Sequence, residues 1–292
     1  MNERRPAGWV VDASLLGLTL IWGATFVMVK RALDDASTLL FLTIRFAGAA
    51  VVLAILFARH FRAGNLAKSI RAGSLAGLCL FGGYVFQTVG LRYTTASKAA
   101  FITGFTAPMV AVLSGIIYRR APQLMEVLGV AIAFIGMALM TVTGDRFLIG
   151  TGDLLVAVCA VAYALHVLVT GRFANQVNIG VFIATEISIG ALIGAGSFWW
   201  AEPVHLHWTP LLIAALIVTS LLATALGFTV QTWAQRWSSP TRTALFFATE
   251  PVFAWITAYL WAGESLTGRG ILGAVMILTG VLMVEIKPFR VA

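Results

Sequence analysis

Ten apolar stretches, each long enough to cross a bilayer as a helix, divide this chain almost from end to end. A span needs about 20 mostly apolar residues, because inside hydrocarbon every backbone N–H and C=O must be satisfied by its own segment. The stretches are Val10–Val29, Thr38–Ala58, Ala72–Leu91, Ala99–Tyr118, Leu124–Thr143, Gly152–Thr170, Ile179–Trp200, Pro210–Thr232, Thr241–Trp261 and Gly270–Ile286. The expected fold is an all-α membrane protein. Only 11% of the residues are charged, against roughly 25% in soluble domains, so lipid must solvate the surface. The first stretch follows a short basic segment and runs on to Val29 without a small-residue cleavage site, so it reads as a retained helix.

The formal net charge of +8 is spread in singles and pairs between the stretches. That distribution fits membrane topology and argues against a nucleic-acid surface. Arg4, Arg5, Arg59, Arg62, Lys68, Arg71, Arg119, Arg120, Arg172, Arg236, Arg242, Lys287 and Arg290 fall on one side. Lys30, Arg31, Arg92, Lys98, Arg146 and Arg269 fall on the other, beside Asp34, Asp35, Asp145, Glu202 and Glu264. The positive-inside rule puts the first set, and with it both termini, in the cytoplasm.

The connections carry an internal repeat. Gln87-Thr-Val-Gly-Leu-Arg-Tyr-Thr-Thr-Ala-Ser-Lys98 matches Gln231-Thr-Trp-Ala-Gln-Arg-Trp-Ser-Ser-Pro-Thr-Arg242 at its polar positions. Pro108 answers Pro251 after a one-residue slip, and Gly129 and Gly136 answer Gly273 and Gly280. Polar loop matches are harder to obtain by chance than matches between apolar helices. Five crossings per half is an odd number, so the second half enters from the opposite face. The expectation is two inverted-topology five-helix repeats, residues 1–147 and 148–292, around a central cavity where a small solute binds near the midplane.

Longer motifs carry a family resemblance. The first helix reads LTLIWGATFVMVK, the second holds Arg45-Phe46, and the fourth opens YTTASKAAFITGFTAPMVAVLS. The last two read ATEPVFAWITAYLWAGESLTGRGILGAVMILTGVLM. Over essentially the whole chain these resemble the drug/metabolite transporter superfamily, in its ten-helix EamA-like branch. Within that branch the chain is most similar to bacterial YddG-type amino acid exporters. The resemblance implies efflux of aromatic and other neutral amino acids, such as threonine or methionine, across the inner membrane by alternating access.

Candidate site residues follow from the cost of polarity in lipid. A central charge costs roughly 2.5–3.5 kcal/mol on insertion scales, so Arg45, Glu186 and Glu250 each need a reason. Arg45 and Glu186 hold equivalent places in the repeat and are expected to face each other as an ion pair or to be neutralised locally. Glu250 reads either as an interhelical tie or as a titrating, substrate-contacting carboxylate. Tyr84, Gln87 and Thr88 share one helix face, as do Phe228 with Gln231 and Tyr163 with His166. Such stripes build a small-molecule pocket or hold helix to helix. Trp22, Phe101 and Phe105 are expected in the same wall. Pro108 and Pro251 are expected to kink their helices and to free the carbonyls of Gly104 and Phe247. His205 and His207, beside Glu202, read as part of an interfacial belt with Trp199, Trp200 and Trp208 rather than as metal ligands.

Other function classes lack their motifs. The sequence has no GxxxxGK[ST] loop for ATP, no GxSxG or HExxH for an intramembrane enzyme, and no ring of like charges for a channel filter. Cys79 and Cys159 lie singly in apolar runs and make neither a disulfide framework nor a metal set. The expected protein is a secondary carrier, monomeric or weakly dimeric, without cofactor or metal, whose partners are a small-molecule substrate and the bilayer. The rival substrates are a sugar, a nucleotide derivative or a cationic drug.

Overall fold

The computed structural model describes residues 6–62, 66–119, 124–141, 150–263 and 268–285. Of the charges used for topology, Arg4, Arg5, Arg120, Asp145, Arg146, Glu264, Lys287 and Arg290 lie outside those residues. Among the described residues the structure is helical apart from one isolated bridge, Ala36 to Leu206. That bridge joins the connection after the first span to the one after the seventh, with Ser37 N–H on His205 O and His207 N–H on Asp35 O. His205 and His207 thus enter this structure through their backbones, and Glu202 accepts from the Leu39 N–H. Trp199, Trp200 and Trp208 are exposed around it.

The elements are α1 Gly8–Ala32, α2 Thr38–Leu56, α3 Leu66–Tyr93, α4 Ala96–Thr103, α5 Thr106–Tyr118, α6 Leu124–Thr141, α7 Thr151–Phe173 and α8 Ile179–Ala201, then α9 Pro210–Val218, α10 Gly227–Ala234, α11 Pro240–Phe247, α12 Glu250–Ala262 and α13 Gly268–Glu285. Among the described residues, eight segments are long and apolar enough to cross a membrane, and two shorter apolar helices, Val127–Leu139 and Gly268–Gly280, fall in the other two expected stretches. The fourth and ninth spans are each two helices, α4/α5 and α11/α12, broken at 104–105 and 248–249. The expected kinks are therefore breaks. The Gly104 carbonyl is not free as expected, because the Ala107 N–H takes it at 3.1 Å. The eighth span changes pitch, with a π-helical segment at Thr219–Leu226 between α9 and α10.

The inverted repeat is visible in reciprocal contacts. α6 packs along α13, and the glycines that answer one another in sequence exchange partners across that seam. A Cβ on Gly136 would come within 2.5 Å of Gly273 O, and one on Gly280 would strike Gly129 O. Gly129 answers Gly273 and Gly136 answers Gly280, so each contact is the other's symmetry mate. The helices run antiparallel about an axis in the membrane plane, and small residues let their backbones touch where lipid supplies no hydrophobic drive. Both broken spans end alike, with Arg119 and Gly263 in the left-handed region at φ 49° and 69°. Elsewhere the halves interlock: α3 lies against α7 and α8, α2 against α8 and the π segment, and α1 against α11 and α12.

Leucine at Gly136 or Gly280 must push one backbone off the other, and overpacking of this kind costs typically 1–3 kcal/mol, roughly, or more where backbone is struck. Each variant is expected to lower the melting temperature in detergent, read by fluorescence size-exclusion. Gly17→Leu, where a Cβ meets nothing within 4 Å, is expected to leave it unchanged.

Candidate functional site

A central cavity lies where the two halves meet. Its wall takes Trp22 from α1, Arg45 from α2, Tyr84, Gln87 and Thr88 from α3, Tyr163 and His166 from α7, Phe228 and Gln231 from α10, and Glu250 from α12. Phe101 and Phe105 are not among the lining residues. Their rings meet at 5.3 Å, and Phe105 packs on Phe134 of α6 at 4.6 Å. The fourth span instead offers Thr103, Gly104 and Thr106 at its break, and Thr25, Phe26 and Phe247 add to the polar and aromatic lining.

The aromatic members form a connected wall. Trp22 lies 5.4 Å from Phe228 and 5.0 Å from Phe247, and Tyr84 lies 5.6 Å from Tyr163. His166 meets Phe228 edge-on at 5.6 Å. These tilted and edge-to-face contacts fix ring orientations while leaving apolar faces for a ligand. Gly23 lets α1 reach α12: a Cβ there would sit 2.7 Å from Glu250 O.

Two polar anchors depend on the π segment. A π turn shifts the backbone register and re-aims carbonyls and side chains, which is why such turns collect at functional sites. Here Ala223 O accepts from Trp22 Nε1 at 2.8 Å, and Thr224 Oγ1 accepts from Arg45 Nε at 2.8 Å. The repeat does not mirror this feature, since α3 runs unbroken through the equivalent stretch.

Arg45 and Glu186 do not pair with each other; of the two expected arrangements the structure has the second, in which each meets its own local partners. Arg45 donates to Thr224 and to Tyr84 OH (2.8 Å), and its guanidinium carbon lies 4.4 Å from the centre of the Tyr84 ring. Glu186 sits 2.6 Å from His166 Nε2, with both side chains buried, and Thr170 Oγ1 approaches the same nitrogen at 3.4 Å. The second Glu186 oxygen is buried without a partner. The sequence pattern puts Arg45 and Glu186 at equivalent repeat positions, but their nearest polar side chains differ, and each bonds to its own neighbours.

The charges that face the cavity are thus held differently. Arg45 is 3% exposed and touches two neutral hydroxyls but no carboxylate. A guanidinium has five N–H donors, so donors remain for an anion. Glu250 is also buried, and no described residue gives its carboxylate a hydrogen bond or an ion pair. Gln231 donates to Gln235 at 3.1 Å, while its own carbonyl oxygen is buried and has no hydrogen-bond partner among the described residues. Its repeat mate is saturated: Gln87 donates to Thr103 Oγ1 and accepts from Tyr163 OH, each at 3.1 Å. The sequence places a polar stripe on each helix, and the stripes line the cavity, but it does not distinguish the amide that is used up from the one left open.

That difference has a measurable consequence. Gln87→Ala strips two protein partners, and unsatisfied buried groups cost about 1–3 kcal/mol each, so its melting temperature is expected to fall below that of Gln231→Ala. Stabilisation of the folded protein by added substrate is expected to survive in Gln87→Ala and to shrink in Gln231→Ala. Thermal melts of both variants with and without substrate check this.

Comparison with known proteins sets this geometry in a family. The profile of the EamA-like transporter family matches residues 10–142 and again residues 150–286. An uncharacterized transporter of Archaeoglobus fulgidus is 30% identical over 276 residues, covering 94% of this chain and 86% of its own. The uncharacterized transporter YyaM of Bacillus subtilis is 28% identical, covering 92% and 91%. One solved crystal structure superposes with a TM-score of 0.78 over 94% of this chain and 98% of the other, at 16% identity, which establishes a shared fold. A family profile that fits twice, with nearly the whole chain accounted for, makes this membrane transporter a member of the EamA-like transporter family.

Proposed function

We propose that the protein is a secondary carrier that exports small neutral amino acids, aromatic ones included, across the bacterial inner membrane, with both termini in the cytoplasm. The observation that carries this reading is a guanidinium and a carboxyl group in one cavity, Arg45 and Glu250, to which no described residue gives a charged partner. Arg45 holds donors for a carboxylate, and Glu250 with the open Gln231 carbonyl accepts from an ammonium. A zwitterion answers both and adds no net charge to the hydrocarbon core. The rings of Trp22, Tyr84, Tyr163 and Phe228 receive its side chain. Burying roughly 100–200 Å² of apolar surface is worth about 2.5–5 kcal/mol.

The rival substrates fit less well. A cationic drug answers Glu250 but leaves Arg45 bare, and a sugar uses neither charge. A nucleotide derivative brings phosphates to a cavity with a single lining guanidinium and an opposing carboxylate.

Counterflow in proteoliposomes tests the reading, because only a carrier shows trans-stimulation by unlabelled substrate. Neutral amino acids are expected to exchange. A charge-assisted hydrogen bond contributes about 1.5–3 kcal/mol, so Arg45→Gln and Glu250→Gln are each expected to slow exchange roughly 10- to 150-fold. Exchange that is unaffected in both variants, or absent for every neutral amino acid, contradicts the proposal.

A further inference from the structure

Two ion pairs outside the cavity are symmetry mates. Lys98 Nζ lies 2.5 Å from Asp153 Oδ2, and Arg242 Nη2 lies 2.7 Å from Asp12 Oδ2. Lys98 and Arg242 match in the repeat, and each follows the same device. Thr95 caps α4 by accepting from the Lys98 N–H, and Ser239 caps α11 by accepting from the Arg242 N–H, both at 3.2 Å. Asp153 lies in the first turn of α7, and Asp12 lies near the start of α1. Exposure is alike too, 25% and 7% for the first pair against 23% and 11% for the second. Asp153 also accepts from Thr94 Oγ1 at 2.7 Å and from the Gly150 N–H at 2.8 Å.

Their placement gives them opposite tasks. α1 and α7 begin five crossings apart, so the two pairs lie at opposite faces of the membrane. Each pair bridges the halves, binding the outer end of a broken span, α4 or α11, to a helix that walls the cavity from the other half. Just beyond α4 and α11 come the breaks at 104–105 and 248–249. A short helix tied across the halves at its far end by an ion pair, and broken from its continuation at the cavity, can swing as a unit when that tie opens. Hinges of this kind need only a few terminal residues to absorb the change in φ and ψ.

We propose that these ion pairs are the latches of two gates: Lys98–Asp153 shuts the cavity toward one face, Arg242–Asp12 shuts it toward the other, and transport alternates which is broken. Both are made in this structure. The proposal rests on the carrier reading above but not on the substrate.

Cavity access tests it without any substrate. Thr25 lines the cavity and bonds only its own helix, to Trp22 O, so Thr25→Cys in a Cys79→Ala/Cys159→Ala background reports access. An impermeant maleimide is applied to right-side-out and to inside-out vesicles. Asp153→Asn is expected to raise labelling from the Lys98 face by about fivefold and to lower it from the Arg242 face, as a shifted two-state population requires. Asp12→Asn is expected to do the reverse. The exchanged pair Lys98→Asp/Asp153→Lys is expected to restore the parent pattern. Changes in the same direction for both Asn variants, no change in either, or failure of the folded exchanged pair to restore labelling overturns the proposal. Should an Asn variant not fold, Lys98→Cys/Asp153→Cys replaces it. Its oxidised disulfide is expected to abolish labelling from the Lys98 face until reduced, and labelling that persists after oxidation overturns the proposal equally.

Discussion

The protein depends on one constraint: a polar group inside hydrocarbon must find a partner within the protein. Most do. Thr19 meets Thr249, Thr43 bonds back to Leu39 O, Gln235 reaches Val167 O and His166 holds Glu186. Around the cavity this accounting is left open at chosen atoms, namely the spare donors of Arg45, the carboxylate of Glu250 and the carbonyl of Gln231. An unpartnered buried charge is destabilising by several kcal/mol, so a ligand that completes these groups gains most from them. The vacant partners describe the substrate.

Symmetry sets the frame and its violation makes the site. The glycine seam between α6 and α13 and the matched ion pairs at opposite faces follow the two-fold relation closely. Inside the cavity the halves diverge. Tyr84 answers Phe228 and Trp22 answers Tyr163, so the hydroxyls and ring nitrogens fall unequally on the two sides. The π segment adds to this by giving Trp22 and Arg45 their anchors on the eighth span alone. The zwitterionic substrate we propose would use that inequality, since a strictly symmetric cavity would present the same groups to both of its ends.

The ten spans and their rough ends were legible in the sequence, because lipid imposes length and apolarity on any crossing segment. The loop repeat was legible because Lys98 and Arg242, with the caps Thr95 and Ser239, are polar residues under geometric demand. The stripes on α3, α7 and α10 were legible from helical spacing, and their members line the cavity. Less could be read of who pairs with whom. Arg45 and Glu186 hold equivalent repeat positions, but their partners are set by rotation of α2 and α8 about their axes, which apolar surroundings leave unmarked. Phe101 and Phe105 illustrate the same gap, since the fourth span is broken at 104–105, Phe105 packs on Phe134 and Phe101 packs on Phe105. The π segment has no distinguishing residue in TSLLATAL, so neither its existence nor the anchors it creates could be foreseen.

The central claim is that the cavity recognises both charges of an amino acid at once. Competition by matched analogues against labelled phenylalanine counterflow tests it most directly. The account predicts that phenylalanine competes, while phenethylamine and 3-phenylpropionate, each lacking one of the two charges, compete at least about tenfold more weakly, the equivalent of about 1.4 kcal/mol. Competition by the amine or the acid equal to that of the amino acid would contradict the account.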